Sequence, residues 1–502
     1  MKEKIINNLN KKGATILKVK ISADLTTPVL TFLKLKEYFP KNNFLYESVE
    51  KGKNKARFSI IGLKPDLMWK IKDNNAYFND NFEENQNDFT KINEHPLQNL
   101  KKLINSCKIK DIESNLPVES GLFGYMSYDM IKLMENIGNN NQKDEINIPD
   151  SIFIRPQILV IFDSLFDVIY ITSPVFLKNG QDAESLYQKA QENINDIIKI
   201  INSPFAGSDI NLGDQKIEFK HHLSAEKYQN MVQKAKDYIT AGDALQILIS
   251  QRFSSDFDQK KSFDFYRSLR SVNPSPFMFF VNFDDFNIIG SSPEILSSLK
   301  NGKVTIRPLA GTRKRGINKK EDAKNAKELL SDKKEIAEHL MLIDLGRNDV
   351  GKICQDQSVK VTEQMVIEYY SHVMHISSNV EGKILPEKDG LDVLISSFPA
   401  GTVSGAPKIR AMQIIEEIEE EKRGFYAGSV GYFSANGDME HCICLRTSLV
   451  KNNKIYLHAG AGIVYDSIPE SEHQECLNKT AALMRALKKK STCQGYFADM
   501  VY

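Results

Sequence analysis

Beyond residue 221 the chain alternates between short runs of strand composition and amphipathic stretches too long to be turns, and no other feature limits the fold as much. Strands are predicted at Leu245 to Phe253, Phe277 to Val281, Ile288 to Ile289, Val304 to Arg307, Val430 to Phe433, Cys442 to Val450 and Ile455 to Ala459. Helices are predicted between them, over Lys319 to Leu330, Lys334 to Leu345, Pro407 to Lys422 and Glu472 to Lys490. The expectation is a mixed α/β body rather than a repeat array.

The first part of the chain is less regular. Thr27-Pro28 ahead of Val29, Phe32, Leu33 and Tyr38 predicts an N-cap, a proline at the first helical position and an amphipathic helix. Phe44 to Glu50 predicts a strand running into the lysine-rich turn Lys51 to Lys55, and Arg57 to Leu63 predicts another. Ile158 to Phe162 with Val168 to Thr172 predicts a buried hairpin, followed by a helix from Asp182 to Ile201. The polar, asparagine-rich stretches Asp73 to Asn93 and Asn139 to Asn147 are expected as surface loops. A break at Asn202 to Asp209 divides an N-terminal region, residues 1–215, from a second domain, residues 216–490, with residues 491–502 as a tail. That second domain opens on a helix capped by Ser224, reaching Ile239 and stopped at Gly242.

A formal net charge of +1 gives no reason to expect nucleic acid or an anionic membrane as partner. The six cysteines are scattered. Cys442 and Cys444, the nearest pair, would share one face of a strand, which is neither a zinc spacing nor a disulfide framework. The first residues lack the apolar core of a signal peptide, and no apolar run is long enough to span a bilayer, so a cytoplasmic protein is expected.

Chemistry enters with the helix Lys334 to Leu345. At about 100° per residue Ile336, Leu340 and Ile343 form one apolar stripe, while Glu335 and Glu338 share another face with Leu342 and Leu345. Carboxylates among leucines are costly unless paired, protonated or metal-bound. Glu472 and Glu475 repeat the i, i+3 spacing at the start of a helix where Ser471 and Gln474 fit a capping box, and Lys479 lies one turn beyond Glu475. Two such pairs could meet as an oxygen-only cluster suited to Mg²⁺ and not to zinc, although from spacing alone solvated helix faces are the commoner case. Glu294, on the turn after Ile288-Ile289-Gly290, is placed as a general acid or as an ordinary turn glutamate. Phe398 to Lys408 is a small-residue loop entering a helix, able to hold an anion but without the order of a phosphate loop. His458 to Gly462 offers a backbone that a ligand can approach closely, and Arg446 a carboxylate fork. Taken singly, each glycine loop is more often a turn, and His375 is by default a core histidine.

Together these strings resemble the chorismate-utilising enzymes. The resemblance rests on Ile306-Arg-Pro-Leu-Ala-Gly-Thr-Arg313, Glu335 to Gly346, Ala400 to Lys408 and Gly460 to Glu475, in that order and spacing. It extends through Ala23 to Pro28, Leu45-Tyr-Glu-Ser48 and Asn273 to Met278, and so over nearly the whole chain. Within the family the chain is similar to the large, aminating components of anthranilate synthases. The implied fold is large mixed β-sheets packed as a sandwich with helices outside.

The resemblance implies Glu338 and Glu475 as Mg²⁺ ligands, with Glu335 and Glu472 as their supports. It implies Glu294 as the acid that protonates the departing 4-hydroxyl, Thr402 beside the ring, and His375 in the loss of pyruvate. Tyr426, Arg446, Gly460, Ala461, Gly462, Gly311, Thr312 and Lys479 are implied at the substrate. Water-adding relatives carry a lysine at the position of Gln246, so Gln246 points to ammonia as nucleophile. Aminodeoxychorismate-forming relatives carry a lysine at the position of Ala310, which alanine cannot replace as a nucleophile. Ammonia is expected from a separate glutamine amidotransferase subunit. Glu47 and Ser48, with Pro274, Ser275, Pro276, Phe277 and Met278, resemble a feedback site for tryptophan, in which a carboxylate and hydroxyl take the ammonium and the apolar turn walls the indole. In that motif Tyr46 stands where leucine is expected. An aminodeoxychorismate-forming component and a non-catalytic tryptophan sensor are the alternative readings.

Overall fold

The computed structural model describes residues 2–49, 57–110, 112, 115–138, 142–178, 180–207, 209–213, 217–370 and 373–488. Ser151–Asp163 is apolar on both faces over most of its length and is buried accordingly, the position of a central strand. One edge pairs with Phe58–Lys72, and the other is shared by Gly121–Met126 and Val168–Phe176. From Phe58–Lys72 the ladders continue through Asn43–Glu47, Phe277–Phe283, Phe286–Ser292, Thr447–Lys451 and Lys454–Ile463 to Gln246–Asp256. From Gly121–Met126 they pass through Ser429–Ser434, Met439–Ile443, Ile295–Lys300 and Lys303–Ile306 to Val373–Lys383. That last strand also pairs with Leu309–Lys314 and Lys360–Tyr369. Each of these ladders is antiparallel. Strands from before residue 215 thus pair directly with strands from beyond it.

The two limbs face each other across an apolar core that joins Phe279, Ile288 and Leu449 of one to Phe123, Val430 and Tyr432 of the other. Helices cover the outer faces. Pro28–Tyr38, Ala183–Asn202, Ser262–Val272 and Pro469–Lys488 bury Phe32, Ile197, Phe263 and Leu483 in a second cluster, and Ala225–Thr240 with Lys408–Ile418 forms a third over Ile249 and Ala461. The mixed α/β body expected from the alternating pattern is therefore present, with its sheets packed as the family resemblance implies. Thr27 caps its helix, accepting from Leu30 N at 3.2 Å, and Ser224 accepts from Lys227 N at 3.1 Å. The lysine-rich turn lies outside the described residues.

Four local expectations change. Asp73 to Asn93 is not all loop: Asn75–Asn79 and Thr90–Ile92 are strands, because Asp73 and Asn74 both take positive φ and fold the chain back as a tight hairpin. The single strand expected from Cys442 to Val450 is broken between Met439–Ile443 and Thr447–Lys451, where Arg446 sits at φ 47°. The final helix starts at Pro469, two residues before the expected capping box, so Ser471 lies inside it and does not cap it. In the helix Lys333–Gly351 the inward stripe is His339, Ile343, Gly346 and Val350, and Leu340 is 46% exposed. His339 takes the inward position because its Nε2 meets Ser378 Oγ at 2.7 Å on the strand beneath.

Candidate active site

The helix Lys333–Gly351 lies on the strands Leu309–Lys314 and Val373–Lys383, and the helix Pro469–Lys488 lies on Lys454–Ile463. Their first turns approach closely enough for the Lys334 ammonium to act on Glu472. Each turn carries one glutamate pair. Glu335 is half-buried, and burial lifts its pKa, with Glu338 adding repulsion and Arg313, 3.2 Å from its Oε1, opposing. Glu472 is lifted in the same way by burial and by Glu475, against a hydrogen bond from Ser467. Glu338 Oε1 accepts from Gln246 Nε2 at 3.0 Å. Glu475 pairs with Lys479 at 2.7 Å, and the same ammonium donates to Gly460 O at 2.8 Å.

The four carboxylates, two of them raised chiefly by burial, offer only oxygen, the donor that a hard divalent cation takes. Among the described residues no three of them bring oxygens within 4.8 Å of one another; the group that does is Glu145, His222 and Glu421, in a different part of the molecule. There Arg252 lies 3.1 Å from Glu421 and His222 3.3 Å from Glu145, so a guanidinium already pairs with one of its carboxylates.

Glu294 lies between Phe286–Ser292 and Ile295–Lys300, as its position after an apolar strand predicts, but it is buried. Burial raises its pKa to about 8, against Leu309 N–H, the Thr402 hydroxyl and the nearby Arg446 charge, which lower it. Thr402 Oγ1 stands 3.3 Å from both carboxyl oxygens. The carboxyl is protonated at neutral pH and can give its proton away.

His375 Nδ1 donates to Gly311 O at 2.8 Å and lies 3.1 Å from Thr312 Oγ1. Its Nε2 is buried and unpartnered among the described residues. Burial depresses the pKa to about 4, so the ring is neutral with Nε2 as the free base. The expectation of an ordinary, satisfied core histidine fails at that one atom. Gly311, at φ 64°, turns its carbonyl to this histidine where a Cβ would stand 3.0 Å from Glu335 Oε2.

The Arg446 guanidinium makes no hydrogen bond or ion pair among the described residues, although its carbonyl accepts from Ser291 N at 3.2 Å, and burial lowers its pKa. Its charge is felt at both Glu294 and His375. Gly460, Ala461 and Gly462 are not a turn but lie within the strand Lys454–Ile463. A Cβ on Gly462 would meet Gln246 Nε2 at 2.5 Å, and one on Gly460 would meet the Tyr426 hydroxyl at 3.0 Å. The Tyr426 ring stacks on His458 at 4.4 Å and 9°.

The residues expected to bind tryptophan lie on the ladder between Asn43–Glu47 and Phe277–Phe283, where Met278 is opposite Glu47 and Val49 N donates to Ser275 O at 3.0 Å. The structure thus brings Glu47 and Ser48 beside Pro274, Ser275, Pro276 and Phe277. Glu47 is buried and accepts from Arg270 at 3.0 and 3.2 Å and from the Tyr266 hydroxyl at 2.5 Å. Arg270 and Tyr266 were not expected there. Their i, i+4 spacing on the helix that leads into Asn273 was the available signal. Tyr46 faces away from Glu47 and packs on Phe44 and Phe123.

A family model for chorismate binding enzymes matches residues 41–485. The anthranilate synthase component 1 of Cereibacter sphaeroides is 46% identical over 472 residues, 94% of each chain. That of Aquifex aeolicus is 42% identical over 94% of each chain. The crystal structure of anthranilate synthase component I from Streptococcus pneumoniae superposes with a TM-score of 0.75 at 38% identity, covering 93% of this chain and 99% of that one. A menaquinone-specific isochorismate synthase from Escherichia coli shares the fold with a TM-score of 0.72 at 18% identity, over 97% of this chain and 99% of that one.

Proposed function

The chain belongs to the chorismate-binding enzyme family, in the group of the anthranilate synthase component 1 proteins, and on that premise we propose how its residues turn chorismate and ammonia into anthranilate and pyruvate. The observation that carries the mechanism is Glu294, a carboxyl kept protonated by burial within hydrogen-bond range of Thr402 and in the field of an unpaired guanidinium. In the first step ammonia adds to the ring as the 4-hydroxyl departs, and Glu294 gives that hydroxyl its proton. In the second, His375 Nε2 takes the ring proton whose loss restores aromaticity as the enolpyruvyl C–O bond breaks. Gly311 O fixes the histidine tautomer that makes Nε2 the acceptor.

A dianionic substrate has to be neutralised on two sides. Arg446, Tyr426 and the strand backbone at Gly460, Ala461 and Gly462 serve the enolpyruvyl carboxylate. Glu338 and Glu475 would hold Mg²⁺ directly, with Glu335 and Glu472 behind them. When bound, the ion supplies a positive partner for the ring carboxylate. Gln246, fastened to Glu338, is not a base for water and leaves the nucleophile's place to ammonia. Ala310 lies in a strand and offers no nucleophile, which disfavours the aminodeoxychorismate reading. The relatives being component 1 of their synthases supports a separate partner subunit, which we take to be a glutamine amidotransferase that delivers ammonia.

Glu47, Ser48 and the turn Pro274 to Met278 are read as the tryptophan site, with Arg270 completing it, and residues 1–215 as the regulatory part. A cytoplasmic location fits the free cysteines Cys107, Cys354, Cys442, Cys444 and Cys476. No helix among the described residues is long and apolar enough to cross a membrane. The test is to supply the purified chain with chorismate, Mg²⁺ and ammonium at alkaline pH and to follow anthranilate fluorescence. Isochorismate or 4-amino-4-deoxychorismate as product would overturn the reading, and calorimetric binding of tryptophan without chorismate would favour the sensor.

A further inference from the structure

Arg423 has 1% of its surface exposed, although it carries a charge and its guanidinium hydrogen-bonds to none of the groups assigned above to the substrate. Each of its three nitrogens donates a hydrogen bond. Nε donates to Glu419 Oε2 at 2.8 Å, and Nη2 to Glu419 Oε1 at 2.7 Å. Nη2 also donates to Leu248 O at 2.7 Å, and Nη1 to Val403 O at 2.8 Å. The Tyr128 ring lies 4.5 Å from its Cζ. A dry ion pair of this kind adds little net stability over apolar residues of equal volume, because both charges leave water, so its geometry is the property to explain.

The acceptors lead to three walls of the site. Val403 follows Thr402, whose hydroxyl lies against Glu294. Leu248 is two residues beyond Gln246, whose amide holds Glu338. Glu419 Oε1 accepts in addition from Ser250 N and Ser250 Oγ, both at 2.9 Å, and Ser250 Oγ meets His458 Nε2 at 3.0 Å. His458 is the ring on which Tyr426 stacks. The loop that carries Thr402 is also tied to this strand further along, by bonds from Leu248 N to Ser404 O at 2.9 Å and from Leu245 N to Ala406 O at 2.7 Å, and by the pairing of Gln246 and Ile247 with Ala406 and Gly405.

We propose that Arg423, in its buried pair with Glu419, is a positioning residue for the reaction: it holds the Val403 carbonyl so that the Thr402 hydroxyl stays on Glu294. The proposal rests on the reading of Glu294 and Thr402 given above. Removing the arginine alone would strand Glu419 as a buried charge, so the informative variant is Arg423→Met with Glu419→Gln. It carries no buried charge and keeps an amide oxygen for Ser250.

Steady-state kinetics of anthranilate formation are compared for wild type, Thr402→Val, the Arg423/Glu419 double variant and the triple combination, each checked for wild-type circular dichroism. The expected result is a fall in kcat of roughly 10- to 100-fold in the double variant with KM for chorismate changed less than about threefold. Thr402→Val should then add little, because the two act through one contact. If Thr402→Val alone is without effect, the reading of the site fails. If Thr402→Val lowers kcat while the double variant does not, the positioning role fails, and losses that multiply in the triple variant overturn it as well. An arginine that merely supported the fold would give multiplying losses.

Discussion

Replacing Glu294 with glutamine should abolish turnover and stabilise the fold, by an amount that depends on pH in a defined way. The amide keeps the shape and the acceptor for Thr402 and Leu309 N–H but has no acidic proton for the leaving hydroxyl, so kcat should fall by about 10²- to 10⁴-fold. The stability follows from the same burial. In the folded protein the carboxyl titrates at about 8 rather than 4.5. Below pH 4.5 it is protonated in both states and costs nothing. Between 4.5 and 8 the unfolded chain ionises while the folded one stays protonated, so the unfolded state gains about 1.4 kcal/mol per pH unit. Above pH 8 the penalty is complete, at about 5 kcal/mol. Urea unfolding of wild type and Glu294→Gln at half-unit steps from pH 5 to 8.5 measures it. The difference should start below about 1 kcal/mol at pH 5, widen with pH in favour of the variant and level off near pH 8. A difference that does not change with pH would refute the assignment of a buried, protonated carboxyl. Wild-type kcat should also decline as pH rises through about 8, where the acid loses its proton.

Other consequences can be checked with the same preparations. Glu338→Gln and Glu475→Gln should lose nearly all Mg²⁺-dependent turnover, with Glu335→Gln and Glu472→Gln failing less severely; full activity in either of the first two would contradict their role as ligands. Gly462→Ala should lower kcat at least about tenfold, because its methyl group would displace Gln246 from Glu338, and unchanged kinetics would show that contact to be dispensable. His375→Asn should release the aminated intermediate, seen by chromatography as a non-aromatic product, whereas an unaltered product ratio counts against the base at Nε2. Glu47→Gln should weaken tryptophan inhibition and tryptophan binding by calorimetry about tenfold or more while ammonia-dependent activity stays within twofold; undiminished inhibition would move the effector site elsewhere.

Local pattern carried the reading as far as local physics reaches. The capped helix at Thr27 and the helix that Ser224 caps follow from periodicity and cap chemistry over a dozen residues. Glu294 is legible as a residue at a strand end, but its acidity is not, since that depends on Leu309 and Thr402 arriving from distant segments. The same holds for Glu47, whose partners lie 219 and 223 residues away. Leu340 failed because a heptad-like apolar spacing cannot foresee that a histidine will be drawn inward by Ser378. The break at Arg446 is a backbone event inside a run that otherwise has strand composition, and only its left-handed φ records it. A fully buried arginine such as Arg423 is invisible in sequence for the opposite reason: charge in a helix-ending, glutamate-rich stretch reads as surface.

The pairing of early strands with late ones bears on how the chain is made. Asn43–Glu47 waits for Phe277–Phe283, and Gly121–Met126 waits for Ser429–Ser434. At the usual pace of a ribosome, the second of these edges stands open for roughly 15 to 60 seconds after its own synthesis. Through that interval a run that is buried at each position in the finished fold, Gly121 to Met126, has its hydrogen-bonding edge bare. Yield in a cell should therefore depend on what shields nascent chains, and a slower translation of the last third should favour aggregation over activity.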